Sequence, residues 1–133
     1  MTSAEYRTLR EACGLSQQEA ATFHDVALRT ISHWETGRNN IPAGAAQELL
    51  DLNALIERGV QNVMTLVAEI AAEHGPADEV ALTRYRSLVD YAGSRADREG
   101  LPWPCHNAMI GRVVVRMTRE RLPFVVAWSA APR

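Results

Sequence analysis

The chain has 133 residues, 47% of them hydrophobic and 23% charged, which suits one domain or two small ones and excludes a disordered chain. No apolar run approaches the ~18 residues of a membrane span, and Met1-Thr2-Ser3-Ala4-Glu5 lacks the basic and apolar regions of a secretory signal. A net charge of −2 gives no basic excess of the kind common in nucleic-acid binders.

The first helix is expected over Ala4 to Cys13, with Tyr6, Leu9 and Ala12 or Cys13 at helical spacing. Gly14 stops it. Ser16-Gln17-Gln18-Glu19 is a capping box, which predicts a second helix from Gln17 to Phe23. After the turn His24-Asp25-Val26, a third helix is expected from Leu28 to Thr36, ended by Gly37 as a left-handed cap. Arg38-Asn39-Asn40 is a polar loop, and Pro42 suits the start of the next helix. From Ala43 to His74 the positions Ala46, Leu49, Asn53, Ile56, Val60, Val63, Val67 and Ile70 form a heptad seam, widened by Leu52, Leu55 and Leu66. Gly59 is its weak point, so this stretch is expected to divide into a fourth and a fifth helix.

After His74-Gly75-Pro76 the pattern changes. Val80 to Thr83 suggests a short strand, and Tyr85 to Tyr91 a short helix. Gly93 to Pro104 reads as a polar loop with Trp103 inside it. A helix follows from Asn107 to Arg121, with Met109, Ile110, Val113, Val114 and Met117 on one face. Phe124 to Trp128 has the composition of a buried strand. Two strands alone are marginal in water, so a second copy of the chain is expected to complete the sheet.

Two stretches carry the functional signal: Arg10-x3-Gly14-Leu15-Ser16-Gln17-x-Glu19-x-Ala21, then Val26-x4-Ile31-Ser32-x-Trp34-Glu35-x-Gly37-Arg38. Helix, glycine, capped helix, tight turn, helix and glycine describe a helix-turn-helix. The residues resemble the λ-repressor-like (XRE-type) DNA-binding domain. The resemblance implies a structural ion pair between Arg10 and Glu35, which fixes packing and reads no DNA. It also implies that the third helix enters the major groove, where Leu28, Arg29, Ser32 and His33 would contact bases. Arg29 can bond guanine O6 and N7, His33 can donate to a purine, and Leu28 can pack on a thymine methyl. The alternative for Arg29 and His33 is simple solvation. Phosphate contacts are expected from Ser16, Gln17, Thr30, Arg38, Asn39 and Asn40, at or beside helix ends.

The resemblance narrows over Trp34-Glu35-Thr36-Gly37-Arg38, Ile41-Pro42 and Gln47-Glu48-Leu49-Leu50-Asp51-Leu52, which look like the anti-CRISPR-associated (Aca) regulators. Tyr85-x2-Leu88-x2-Tyr91 and Ile110-Gly111-Arg112 fit that group more loosely. Aca regulators are dimeric repressors that shut down phage anti-CRISPR genes through an inverted repeat in the promoter. The expected fold is therefore mainly α. It comprises a five-helix λ-repressor-like bundle over residues 1–58 and a small α+β dimerisation region over residues 59–133. The expected function is a homodimeric repressor of an anti-CRISPR or other mobile-element operon. Val60, Val63, Val67, Ile70, Phe124, Val126 and Trp128 would form the dimer interface.

Other signals are weaker. Residues 77–133 hold nine arginines against six acids, and Arg112, Arg116 and Arg119 line one helix face. That stripe is either solvated or a contact to DNA or RNA. Cys105-His106 has no second pair nearby, so no metal site or cofactor is expected. Cys13 and Cys105 make no disulfide framework, which points to a reducing cytoplasm. No nucleophile motif, phosphate loop or carboxylate pair suggests an enzyme. The competing reading is an antitoxin, whose C-terminal half would neutralise a partner protein.

Overall fold

The computed structural model describes residues 1–76 and 78–130. The order of elements is α1 (Ser3–Ala12), α2 (Gln17–His24), α3 (Leu28–Glu35), α4 (Ala43–His74), β1 (Val80–Arg84), α5 (Leu88–Tyr91), α6 (Arg95–Arg98), α7 (Trp103–Arg119) and β2 (Phe124–Trp128). The protein is mainly α, with N-terminal helices and a small α+β region after them. It falls into two compact units, one of residues Met1–Leu55 and a second that begins at Ile56.

In the first unit the local sequence sets the helix boundaries. Ser16 Oγ accepts from the Glu19 N–H (3.0 Å), and Glu19 Oε1 accepts from the Ser16 N–H (2.9 Å). These bonds satisfy two donors that the first turn of α2 would otherwise leave open. Thr2 and Glu5 build the same box at the start of α1. Tyr6, Leu15, Ala20, Ala21, Ile31, Trp34, Leu49 and Leu52 are all buried and form the core. Ala20 and Ala21 are small where α2 comes against its neighbours.

The second unit has a different architecture. Ile56, Val60 and Met64 of α4 are buried, as are Met109, Ile110, Val113 and Met117 of α7. Arg112 of α7 meets Glu57, and one turn further along both helices Arg116 Nη1 donates to Gln61 Oε1 (3.3 Å). β1 and β2 form a parallel pair, with Val80 opposite Phe124 and Arg84 opposite Trp128. A parallel pair needs a crossover, and α5, α6 and α7 provide it. Leu82 of β1 is the strand residue buried beneath the sheet.

Four expectations are corrected. The break at Gly59 does not occur, and α4 runs unbroken through it. The glycine serves a close approach instead: a Cβ there would lie 2.2 Å from Met109 Sδ. The helix expected over Tyr85–Tyr91 contains only Leu88–Tyr91. Tyr85 stays out of it because distant side chains occupy its backbone. Its N–H donates to Asn107 Oδ1 (3.2 Å), and its carbonyl accepts from Trp103 Nε1 and Asn107 Nδ2 (both 2.9 Å). The stretch Gly93–Pro104 is not all loop. It holds α6 and the start of α7, where Pro104 sits in the first turn and lacks a donor only where none is needed. Finally, β2 is not buried: Val125, Val126 and Trp128 are 40%, 37% and 49% exposed.

The close approach at Gly59 predicts a sign reversal. Gly59→Ala should lower stability by about 1–3 kcal/mol through overpacking, although alanine is the better helix former by about 1 kcal/mol. With Met109→Ala in the background, the same change should become neutral or stabilising. Denaturant unfolding of the four proteins checks this.

Candidate nucleic-acid interface

The first unit presents α3 as a two-faced helix. Ile31 and Trp34, three residues apart, point inward and are buried. Arg29 on the opposite side is exposed, Leu28 at the edge of the buried face is exposed too, and Ser32 and His33 are half-buried. Leu28 is 44% exposed, an apolar side chain left at the surface at the very start of the helix.

An ion pair fixes the orientation of this helix. Arg10 Nε donates to Glu35 Oε2 at 2.6 Å, and Arg10 Nη2 to Glu35 Oε1 at 2.9 Å. The third guanidinium nitrogen, Nη1, donates to the Leu15 carbonyl at 2.8 Å. One arginine thus ties α1, the α1–α2 turn and the end of α3 together. The Arg10 and Glu35 side chains are only 8% and 3% exposed, and hydrogen bonding to Glu35 raises the guanidinium pKa above its ordinary value. Burial, reinforced by the Glu35 charge, pushes the nearby Tyr6 phenol up to about 12.

The residues expected to hold phosphate divide in two. Ser16, Arg38, Asn39 and Asn40 are exposed. Thr30 is half-buried, and Gln17 turns its amide toward Glu35 Oε1 (3.4 Å). The Asn39 amide lies against the His33 ring.

Sequence reasoning missed His24. Expected in a turn, it is the last residue of α2 and is buried. The rings of Phe23 (4.9 Å), Trp34 (5.5 Å) and Tyr6 (5.9 Å) surround it. Neither ring nitrogen has a hydrogen-bond partner, and Glu48 Oε1 lies 3.7 Å from Nδ1. The signal was present in the spacing: Ala20, Ala21 and His24 continue one helical face. Burial lowers the His24 pKa, and Glu48 offsets this in part. The native state therefore binds this proton less readily than the unfolded chain does. That stability is present above the unfolded value of about 6.5 and is lost as pH falls below it. We expect the protection factors of residues 1–55, corrected for the intrinsic exchange rate at each pH, to fall as the pH drops below about 6.5, and His24→Phe to weaken that dependence.

In the second unit, Arg112 pairs with Glu57 and Arg116 with Glu120 (3.4 Å), while Arg119 is exposed. Arg84 and Arg86 stack on the Trp128 ring at 5.2 and 5.0 Å. His106 shares its Nε2 with the Thr83 carbonyl (3.0 Å), and Cys105 is buried. Among the described residues no three potential metal-binding side chains cluster, and no helix is long and apolar enough to cross a membrane. Of the expected interface residues, Val60 is 4% exposed and already belongs to the core of its own unit. Val63, Val67 and Phe124 are half-buried, while Ile70, Val126 and Trp128 are exposed. Leu66, which the sequence places in the apolar stripe that widens the seam, is 56% exposed on the same stretch of α4.

Comparison with known proteins agrees with this geometry. Residues 3–61 match the family described as a helix-turn-helix domain. Over 104 residues the chain is 26% identical to the Aca2 repressor of Pectobacterium phage ZF40, covering 77% of this chain and 84% of that protein. The protein therefore carries a helix-turn-helix domain and is similar, along most of its length, to the anti-CRISPR-associated repressors.

Proposed function

We propose that the protein is a sequence-specific DNA-binding transcriptional repressor. It binds an inverted-repeat operator as a homodimer and autoregulates an anti-CRISPR or other mobile-element operon. The observation that carries this reading is the outward face of α3, with Arg29, Ser32 and His33 standing free of the core on a helix clamped by a buried ion pair. Similarity to a protein named as a repressor supports the regulatory half. Residues 1–58 read DNA: Leu28, Arg29, Ser32 and His33 face the bases, and Ser16, Thr30, Arg38 and Asn40 face the phosphates. Local placement of these groups outweighs the overall charge of −2. A footprint on the DNA upstream of its own gene should show two protected half-sites related by a twofold axis. No protection there would overturn autoregulation.

Residues 59–133 form the dimerisation region in this reading. Ile70, Val126 and Trp128 are the exposed apolar groups that a second copy would cover. The intact protein should sediment at about twice its 14.7 kDa mass at micromolar concentration. Ile70→Glu combined with Val126→Glu should give a folded monomer whose operator affinity falls by roughly 10²-fold or more, through lost avidity. A monomeric parent, or a monomeric variant that binds equally well, would overturn the dimer.

A further inference from the structure

The loop after α3 folds back on the helix it leaves. Gly37, at φ +77°, turns the chain, and its N–H donates to the Trp34 carbonyl (3.3 Å). Two residues on, the Asn39 N–H donates to the His33 carbonyl (3.2 Å). This reversal sets the Asn39 side chain against the His33 ring, with Nδ2 3.3 Å from Nδ1. With the amide nitrogen turned to the ring, Asn39 donates and Nδ1 accepts. A neutral imidazole has one acceptor and one donor nitrogen, which puts the proton on Nε2.

We propose that Asn39 is a positioning residue for base recognition: it holds His33 as the Nε2–H tautomer, so that His33 offers DNA a donor and selects a purine N7. The inference rests on the DNA-reading role given to α3 above, and it moves Asn39 from phosphate binding to specificity. With the proton on Nδ1, the same ring would present an acceptor and favour the amino groups of cytosine or adenine. A residue outside the helix thus decides which half of the major-groove code His33 reads.

The tautomer is measurable without DNA. In long-range nitrogen-15 spectra of the intact protein at about pH 8, His33 Nδ1 should show the unprotonated shift. In Asn39→Asp, which offers only acceptors, Nδ1 should gain a proton. The second arm uses the duplex that the intact protein selects from a random pool, with each purine replaced in turn by its 7-deaza analogue. Besides the guanine given to Arg29, one further replacement should weaken binding roughly three- to tenfold. That sensitivity should vanish in both His33→Ala and Asn39→Asp, whatever their overall affinity. A protonated Nδ1 in the parent, or an Nδ1 unmoved in Asn39→Asp, would overturn the proposal regardless of the DNA result. An unprotonated Nδ1 with no purine position that depends on His33 would overturn the reading of N7. Failure to select any duplex would instead overturn the proposed function, and with it the role of His33.

Discussion

Replacing Glu35 with alanine should remove about 3–5 kcal/mol of stability from the helix-turn-helix unit. The cost comes from what is left behind. Arg10 is almost fully enclosed, and two of its three guanidinium nitrogens donate to Glu35. Without the carboxylate a buried cation keeps the Leu15 carbonyl and a distant, exposed Glu11 carboxylate at 3.8 Å. Small domains have about 5–15 kcal/mol in total, so urea unfolding should show a large drop in midpoint or no folded baseline at all. The double variant Arg10→Met/Glu35→Leu should recover most of the loss, because an apolar pair of similar volume carries no stranded charge. A loss below about 1 kcal/mol for Glu35→Ala would mean that the pair behaves like a surface salt bridge.

The two arginines beside the groove should fail in different ways. Arg29 is exposed in the first turn of α3, one turn before His33, and suits a forked contact to guanine. Arg29→Ala should cost ~1–3 kcal/mol and relax preference at one base pair. Arg38 lies exposed beyond the helix, after Gly37, where the proposed function gives it a phosphate. Arg38→Ala should weaken binding to all sequences alike and flatten the salt dependence by about one unit. Affinity for a panel of single-base operator variants at several salt concentrations separates the two. Equal, sequence-independent losses would mean that Arg29 touches only backbone, and base reading would pass to Leu28, Ser32 and His33.

What could be read from the sequence was local. The Ser16–Glu19 box, Gly37 and the inward spacing of Ile31 and Trp34 act within one turn of themselves, and the N-terminal helices followed from them. What could not be read depended on distant partners. Gly59 carries a local penalty in a helix, but Met109, distant in sequence and adjacent in space, explains it. Tyr85 sits in a helical pattern, yet Trp103 and Asn107 take its backbone bonds first. Phe124 to Trp128 looked like core because composition measures what a strand can bury, not whether anything lies over it. His24 reads as a turn residue beside Asp25 and Val26, and its place on the face of Ala20 and Ala21 does not disclose that Tyr6 and Trp34 of other helices close around it.

The parallel register of β1 and β2 also has a kinetic side. In the first unit, α1, α2 and α3 are joined by short turns, so their packing closes small loops early. The sheet cannot form until Val80 meets Phe124, after the whole of α5, α6 and α7 has been placed. Closing so long a loop delays the reward of the pairing, and topologies of this kind fold slowly. A refolding chain is thus expected to form α3 before it completes its sheet. Until then β2 is a short uncharged strand with nothing beside it, the state in which strands associate indiscriminately.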